Sequence, residues 1–165
     1  MEKIQALEKQ LESLQAAAIE IALEIGKYQD EGLCVRISDT GRSVFTTRPF
    51  QKGDFICYYE GDLVTRMEGT RRSQSLSPYA PCFMFFFKKF DKQWCIDATK
   101  ESFTFGRLIN HSKSKANIKP FSGFVKDRIC VEFRAICHIP PNVEIFYDYG
   151  ERDSATILAN PWLRE

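Results

Sequence analysis

The first part of the chain carries apolar residues at alternating spacings of three and four positions. They are Ile4, Leu7, Leu11, Leu14, Ala18, Ile21 and Ile25. This repeat predicts an amphipathic helix with a narrow apolar seam, and Gly26 with the polar stretch 27–32 predicts its end and a hinge. Such a seam can pack on the chain's own domain, pair with a second copy, or receive a partner's helix. The flanking positions carry few complementary charges, so the sequence leaves all three open.

From Leu33 onward the helical period gives way to short runs of β-branched and aromatic residues separated by turn residues, which predict short strands. The predicted strands are 33–37, 43–47, 54–59, 82–88, 93–97, 124–125, 129–134 and 144–146. The polar stretch 66–76 predicts a helix weakened by Gly69, and Glu101 to Phe105 predicts a short helical turn. The sequence therefore predicts a β-rich body of short strands in small sheets with few helices.

A length of 165 residues fits one domain of ordinary size with a modest appendage. Residues 1–31 hold seven acidic and three basic side chains, whereas the remainder holds 20 basic and 15 acidic ones. This mildly basic body is a weak signal for nucleic-acid binding. No apolar run approaches the roughly 18 residues that cross a bilayer, and no signal-peptide pattern is visible. We therefore expect a soluble intracellular protein.

Six cysteines lie far apart, with no CxxC pair: Cys34, Cys57, Cys82, Cys95, Cys130 and Cys137. This spacing predicts buried free thiols rather than a zinc site or a disulfide framework. The sequence also lacks the GxGxxG, HExxH, Walker A and GxSxG patterns, which argues against the enzyme classes that use them. Cysteine–histidine catalysis needs a base beside a thiolate, and only His111 and His138 could serve.

Two polar stretches that follow apolar runs are the strongest candidates for chemistry. FGRLINHS places Asn110 and His111 after an apolar pair, and FYDYG places Tyr147 and Tyr149 two positions apart. Taken alone, paired tyrosines usually fill a core and a lone histidine is usually structural. Three further motifs occur with them in a fixed order and change this interpretation. They are TGR at 40–42, YEGD at 59–62 and DAT at 97–99.

In these motifs the chain resembles the SET-domain lysine methyltransferases, and more narrowly the PR-Set type branch that monomethylates histone H4. The likeness runs from about Gly32 to Glu165, and its most specific parts are GRLINHSK, YDYG and a terminal Asn-Pro-Trp-Leu. It implies a β-rich SET fold whose C-terminal segment threads beneath a surface loop like a pseudoknot, bringing the NHS and YDYG stretches side by side. The expected organisation is an N-terminal helix and hinge at 1–31, a SET domain at 32–150, and a segment at 151–165 that completes the donor pocket.

The resemblance implies S-adenosylmethionine as the methyl donor, with S-adenosylhomocysteine as its product. The positions that match the family's donor-binding residues are Thr40, Gly41, Arg42, Phe83, Asn110, His111 and Trp162. His111, with its neighbour Asn110, is implied to offer mainly backbone groups, so it is a positioning residue and not a general base. Trp162 is implied to cover the adenine. Residues 151–165 contain no cysteine, so the resemblance implies no metal at the donor pocket.

Methyl transfer from a sulfonium to a lysine amine is an in-line displacement that needs alignment and a deprotonated amine rather than a strong enzyme nucleophile. Tyrosines suit this reaction, because their ring faces form apolar walls and attract methylammonium while their hydroxyls form hydrogen bonds at fixed points. Matching the motifs implies Tyr149 as the catalytic tyrosine and Tyr59 and Tyr147 as walls of the lysine channel. Tyrosine rather than phenylalanine at 147 implies a monomethyl product under the family's rule.

Three positions depart from the family's pattern. Ser43 replaces the glycine that follows Arg42, and we expect it to stiffen the donor turn. Phe83 lacks the hydroxyl of the usual tyrosine, which leaves the rate and the number of methyl groups open, because a water can substitute for a hydroxyl. Asn160 stands in place of a histidine two positions before Trp162.

Three functions are compatible with the sequence. The first is a nuclear, chromatin-associated monomethyltransferase of the histone H4 tail at its lysine-twenty site, acting on nucleosomes with weak DNA contact. The second is a SET methyltransferase of a non-histone protein. The third is a module that binds lysine tails without turnover or self-associates through the N-terminal helix. None of the three implies a membrane partner.

Overall fold

The computed structural model describes residues 32–77, 80–150 and 160–165, together with Ile4, Leu7, Gln10, Leu11, Ser13, Leu14 and Leu158. The six described positions near the N-terminus are helical. The four apolar side chains among them are between 56% and 62% exposed, so packing of the seam on the chain's own domain is not observed at these positions. The rest of the predicted helix lies outside the described residues, and pairing with a second copy or a partner stays a prediction.

The described body between residues 32 and 150 contains ten strands, arranged in small sheets, and one α-helix. This confirms the predicted β-rich architecture of short strands with few helices. The strands are β1 (Leu33–Ser38), β2 (Gly41–Thr46), β3 (Phe55–Tyr58), β4 (Asp62–Thr65), β5 (Met84–Lys89), β6 (Lys92–Asp97), β7 (Asn110–His111), β8 (Ile118–Val125), β9 (Arg128–Ala135) and β10 (Phe146–Tyr147). The helix is α1 (Arg66–Gln74), and two 3-10 turns span Gly106–Leu108 and Pro161–Arg164. The sheet orders are β1-β2, β3-β9-β8, β4-β6-β5 and β10-β7.

Five elements differ from the sequence prediction. Strand β7 has only two residues and was not predicted, and β10 spans Phe146–Tyr147 rather than 144–146. Strand β8 begins at Ile118 rather than at 124; Pro120 interrupts the strand pattern, but an edge strand tolerates the missing N–H. Strand β4 was not predicted, because it is a short, mostly exposed strand at a sheet edge. The helical turn expected at Glu101–Phe105 is wrong, since the 3-10 turn begins only at Gly106.

Helix α1 confirms the prediction for the polar stretch and explains its internal glycine. The hydroxyl of Thr65 caps the helix by accepting a hydrogen bond from the N–H of Glu68 at 3.3 Å. Gly69 is buried against strand β6, where an added Cβ would lie 2.6 Å from the Cys95 side chain. Glycine therefore costs the helix some propensity but lets it pack closely on the sheet.

The hydrophobic core lies where the β1-β2 and β3-β9-β8 sheets meet the 3-10 turn at Gly106. Phe50, Phe133 and Ile145 have no exposed surface. Gly106 approaches strand β3 so closely that any side chain there would collide with the backbone carbonyl of Tyr58. This contact places the start of the FGRLINHS stretch directly beside the end of β3.

Strands β7 and β10 form a short parallel pair that joins two remote parts of the chain. Asn110 pairs with Phe146, and His111 pairs with Tyr147. The expectation that the NHS and YDYG stretches lie side by side is therefore confirmed. The threading of the C-terminal segment depends on residues 151–157, which lie outside the described residues, so it stays a prediction.

The cysteines are all free thiols, but the prediction that they are buried is wrong for some of them. Cys34, Cys57 and Cys95 are buried, whereas Cys82 and Cys137 are exposed. Cys130 is half-buried. Cys82 precedes β5 and Cys137 lies in a bend, and neither position packs into a sheet face. Among the described helices, none is long and apolar enough to cross a membrane.

Candidate active site

The two tyrosines of YDYG pack against each other, with tilted rings, at the end of β10. The ring centroids of Tyr147 and Tyr149 lie 4.6 Å apart. Tyr147 is 6% exposed and packs on Phe133 with 4.7 Å between ring centroids. Tyr149 is 42% exposed, and its hydroxyl donates a hydrogen bond to the carbonyl oxygen of Ile109 at 2.8 Å. The ring of Tyr149 therefore faces an open part of the molecule, and its hydroxyl is fixed beside the NHS stretch.

Tyr59 joins this pair through two phenylalanines that the sequence analysis did not identify. The ring centroids of Tyr59 and Phe85 lie 5.1 Å apart, and those of Phe85 and Tyr147 lie 6.2 Å apart. Phe133 contacts all three rings edge-on or tilted. We call Tyr59, Phe85, Phe133, Tyr147 and Tyr149 the aromatic cluster. The three tyrosines predicted from the motifs are therefore brought together, although they come from separate parts of the chain.

Nothing in the sequence singled out these phenylalanines. Phe85 lies in the run MFFF, whose period does not reveal which side chains face inward. Phe133 lies on β9 and is fully buried. In the sequence nothing distinguishes it from an ordinary core residue. Both phenylalanines pack apolar ring surface between Tyr59 and Tyr147.

The hydroxyls of the three tyrosines stay protonated at neutral pH. Burial, with a smaller effect from Tyr149, raises the pKa of Tyr59 far above its ordinary value. Burial likewise raises the pKa of Tyr147 well above its ordinary value, and it raises the pKa of Tyr149 to about 12. A low-polarity surrounding disfavours the charged form of any group that enters it. The cluster therefore favours a neutral amine over an ammonium on entry.

His111 links the YDYG stretch to the end of the chain. The N–H of Tyr149 donates to Nδ1 of His111 at 3.0 Å, and Nε2 lies 3.1 Å from the carbonyl oxygen of Leu163. Because Nδ1 accepts a hydrogen bond, Nε2 carries the proton and donates to Leu163. The ring centroids of His111 and Tyr149 lie 5.0 Å apart. Both ring nitrogens hold backbone in place, which suits positioning rather than base catalysis.

The side chain of Asn110 reaches across to the β1-β2 hairpin. Its Nδ2 lies 2.9 Å from the hydroxyl of Ser43 and 3.1 Å from a carboxylate oxygen of Glu144. It also lies 3.3 Å from the carbonyl oxygen of Arg42 and 3.4 Å from the hydroxyl of Thr40. The resemblance implies a role mainly for the backbone groups of Asn110. Its amide side chain ties β7 to the hairpin that carries the TGR motif.

The TGR motif lies at the tip of that hairpin. Strands β1 and β2 are joined by a two-residue turn that ends at Thr40, so Gly41 and Arg42 are the first residues of β2. Gly41 has a φ of +96°, which disfavours other residues there, and no atom lies within 4 Å of an added Cβ. The backbone at this tip is therefore accessible to a ligand.

A pair of arginines shares one carboxylate behind the hairpin. Arg42 donates two hydrogen bonds to Glu101, at 3.0 and 3.1 Å. Arg107, whose side chain is only 1% exposed, donates to the same carboxylate at 2.7 Å and to the carbonyl oxygen of Ala98 at 2.8 Å. The guanidinium carbon of Arg107 also lies 3.9 Å from the ring centre of Phe83. Phe83 therefore serves as a cation–π platform, which needs no hydroxyl.

Glu101 and Arg107 have no assigned role in the sequence interpretation, although Arg107 stands within FGRLINHS. The sequence signal for Arg107 is its place directly before the apolar pair Leu108 and Ile109, where a side chain is expected to be buried. A buried guanidinium needs a partner. Its partner Glu101 lies six residues earlier in the chain. No sequence pattern indicates that the same carboxylate also pairs with Arg42, which is 59 residues away from it.

The C-terminal segment lies against the residues that follow β7. The carbonyl oxygen of Glu165 accepts hydrogen bonds from the N–H of Ser114 at 2.9 Å and from the hydroxyl of Ser112 at 3.2 Å. Trp162 belongs to the 3-10 turn Pro161–Arg164, but its side chain lies outside the described residues. Its role over the adenine stays a prediction.

Most residues assigned to the donor form one connected region. Asn110 contacts Thr40 and Arg42, and Arg42 reaches Phe83 through the carboxylate that it shares with Arg107. The open hairpin tip and the backbone of β7 are therefore adjacent, and the buried pair of Arg107 and Glu101 lies behind them. Tyr149 contacts both this region, through His111, and the aromatic cluster, through Tyr147.

Comparisons with known proteins agree with this arrangement. A family model described as SET domain matches residues 41–150. The N-lysine methyltransferase KMT5A-A of Danio rerio is 38% identical over 138 residues, covering 82% of this chain and 40% of that protein. The histone-lysine N-methyltransferase Set8 of Drosophila melanogaster is 38% identical over 136 residues, covering 81% of this chain and 20% of that protein. The chain therefore spans less than half the length of these two relatives.

A solved structure gives the same result. The crystal structure of CpSET8 from Cryptosporidium matches with a TM-score of 0.65 at 31% sequence identity, covering 73% of this chain and 58% of that chain.

Proposed function

This chain belongs to the SET-domain family, and we propose that it is a protein-lysine N-methyltransferase of the PR-Set, or SET8/KMT5A, type. SET methyltransferases use S-adenosylmethionine as the donor. The proposed substrate is the histone H4 tail at its lysine-twenty site, and the proposed product is monomethyl-lysine. The SET domain is proposed to span 32–150, with 151–165 completing the donor pocket.

The observation that carries this proposal is the position of Tyr149 between two regions. On one side its ring packs against Tyr147 within the aromatic cluster, and on the other it packs against His111 beside the donor residues. A lysine amine and a donor that enter from opposite sides meet at a single tyrosine in such an arrangement. In-line displacement requires this opposed approach.

In the proposed reaction the lysine first releases a proton to solvent, and the neutral amine then enters between Tyr59 and Tyr147. The bound donor supplies an electrophilic methyl group on a sulfonium. A nitrogen–carbon bond forms while the carbon–sulfur bond breaks, so positive charge moves from sulfur to nitrogen. The aromatic faces of the cluster stabilise that developing ammonium.

Tyr149 contributes through its oxygen. Its pKa is raised to about 12 by burial, so the hydroxyl remains protonated. The hydroxyl donates its proton to the carbonyl oxygen of Ile109. The hydroxyl oxygen therefore acts as an acceptor toward the channel, where partial positive charge develops on the methyl group. We assign Tyr149 as the catalytic residue, with Tyr59 and Tyr147 as channel walls.

The proposed monomethyl product depends on Tyr147. Its side chain is buried, and its hydroxyl stays protonated because burial raises its pKa. A hydroxyl at this point occupies room that a methylated amine needs in order to turn and react again. The ring centroids of Tyr147 and Phe133 lie 4.7 Å apart. Packed rings therefore limit the space around the Tyr147 side chain.

The proposed setting is the nucleus, on chromatin. The relatives named as histone-lysine N-methyltransferases support a histone substrate, and the nucleosome is proposed as the physical substrate because a flexible tail alone offers few contacts. DNA contact and self-association through the N-terminal helix are proposed as secondary interactions.

A binding module without turnover is less well supported. Two of the three departures from the family have contacts in the fold: the Ser43 hydroxyl accepts a hydrogen bond from Asn110, and the guanidinium of Arg107 lies over the Phe83 ring. Neither change removes a residue of the aromatic cluster.

The proposal is tested by incubating free histones, nucleosomes and a total lysate side by side with radiolabelled donor, followed by mapping of the labelled residue. We expect label on histone H4, stronger in nucleosomes than in free histones. Label on a non-histone protein alone would redirect the substrate proposal. No transfer to any of the three would contradict enzymatic function.

A further inference from the structure

Ser43, where the family has glycine, is completely buried in strand β2. Its hydroxyl oxygen lies 2.9 Å from Nδ2 of Asn110 and 2.7 Å from the hydroxyl oxygen of Ser38. A buried hydroxyl with two partners at these distances contributes to the structure and is costly to leave unpaired. Ser43 therefore does more than stiffen a turn.

The direction of these hydrogen bonds follows from the chemistry of the partners. An amide nitrogen only donates, so Ser43 accepts from Asn110. The single proton of Ser43 is then available to Ser38 at 2.7 Å. The Ser38 hydroxyl oxygen lies 2.9 Å from the hydroxyl oxygen of Thr40 and 3.3 Å from the carbonyl oxygen of Gly41, so both of its further partners belong to the TGR motif. A chain of hydrogen bonds thus runs from Asn110 on β7 to the TGR motif.

From this chain we propose that Ser43 is a positioning residue of the donor site, acting through Asn110. Its hydroxyl fixes the spacing between the hairpin tip and β7, the two stretches that present backbone to the donor. The inference rests on the proposed function. It adds a residue that the family's motif does not contain and a hydrogen bond that a glycine cannot make.

Water does not replace this hydroxyl in a Ser43→Ala variant. Removing one oxygen leaves a space well below the roughly 30 Å³ that a water occupies in the liquid, and Ser43 has no exposed surface. Ser43→Gly removes a larger group and leaves room for a bridging water. The alanine variant is therefore expected to disturb Asn110 more than the glycine variant, although glycine is the poorer residue in a strand.

The test is calorimetric titration of the folded full chain with S-adenosylmethionine, which needs no lysine substrate. For Ser43→Ala we expect donor affinity to fall by about two- to tenfold, the range that one net hydrogen bond supplies. For Ser43→Gly we expect a smaller loss. In the methyl-transfer assay the donor KM should rise while kcat and the KM for the histone substrate stay close to wild type.

Thr46→Val is the matched control. Thr46 is also fully buried on β2, and its hydroxyl donates to the carbonyl oxygen of Pro140 at 2.6 Å, away from the donor residues. This variant should lose stability without losing donor affinity. Equal affinity in wild type and Ser43→Ala, a loss in Thr46→Val as large as in Ser43→Ala, or a Ser43→Gly variant weaker than Ser43→Ala would each overturn the inference.

A second readout separates this inference from the proposed function. The side-chain amide signals of Asn110 in a ¹⁵N-correlated NMR spectrum of the donor-free chain should shift, and exchange faster, in Ser43→Ala but not in Thr46→Val. Unchanged signals would refute the positioning role. Failure of the wild-type chain to bind any donor would refute the proposed function instead. The NMR signals would still show whether Ser43 holds the Asn110 side chain.

Discussion

Replacing Tyr149 with phenylalanine separates the chemistry of the site from its packing. The variant removes one oxygen and keeps the ring. The ring contacts with Tyr147 and His111, whose centroids lie 4.6 Å and 5.0 Å away, are therefore preserved. It also removes the hydrogen bond from the hydroxyl to Ile109. The ring contacts of the aromatic cluster are kept, whereas the effect of the Tyr149 hydroxyl on the pKa of Tyr59 is lost.

The expected cost to stability is small and the expected cost to activity is large. One net hydrogen bond contributes about 0.5–1.5 kcal/mol, and Tyr149 is 42% exposed, so the loss should fall at the lower end. A positioned group that stabilises developing charge is worth about 2.7–4 kcal/mol in the transition state, or a factor of about 10² to 10³ in kcat. The two effects differ enough to be distinguished.

Turnover with radiolabelled donor on nucleosomes gives the rate, and a denaturant titration gives the free energy of unfolding. Tyr58→Phe is the control, because Tyr58 packs on Phe55 outside the cluster and should retain full activity. A Tyr149→Phe variant that turns over at the wild-type rate would remove Tyr149 from the mechanism. A variant that loses activity only because it unfolds would leave the catalytic assignment without support.

Three further predictions follow from the same geometry. Tyr147→Phe should release dimethyl product, which mass spectrometry of the histone would show; monomethyl product alone would count against the channel assignment. Burial raises the pKa values of Tyr59, Tyr147 and Tyr149, so the unfolded chain loses these protons first and stability should fall as pH rises above about 10; a Tm that stays constant between pH 10 and 12 would contradict this. Arg107→Met should cost about 1–3 kcal/mol of unfolding free energy by denaturant titration, and an effect no larger than that of the exposed Arg71→Met would contradict the buried pairing.

Local sequence patterns predicted much of the scaffold. Runs of β-branched and aromatic residues indicated β1, β2 and β9, and the polar stretch after Thr65 indicated α1, because strand and helix periods are visible over short windows. Strands β4 and β7 were not predicted, and of β8 only residues 124–125 were. Edge strands are partly polar, β7 has only two residues, and Pro120 breaks the pattern without breaking the strand.

The site divides in the same way. Asn110, His111, Tyr147 and Tyr149 are carried by contiguous motifs, and the structure brings them together through the β7–β10 pair. The ion pair between Glu101 and Arg42 could not be predicted from sequence, because ion pairs between distant segments leave no local pattern.

The contact of Ser43 with Asn110 shows the limit of motif comparison. A departure from a family's glycine indicates only that something differs at that position. The hydrogen bond becomes visible when the 67-residue separation is closed in the fold. The same holds for Phe83. The motif shows only that a hydroxyl is missing, whereas the structure shows the guanidinium of Arg107 above the ring.

The central claim is that a donor and a lysine amine reach Tyr149 from opposite sides. A crystal structure of the chain with S-adenosylhomocysteine and a histone H4 peptide carrying the lysine-twenty site tests it most directly. The lysine side chain should lie between Tyr59 and Tyr147, with its amine pointing past the Tyr149 hydroxyl toward a nucleoside held beside Asn110. A lysine bound elsewhere, or a nucleoside on the same side of Tyr149 as the peptide, would contradict the account.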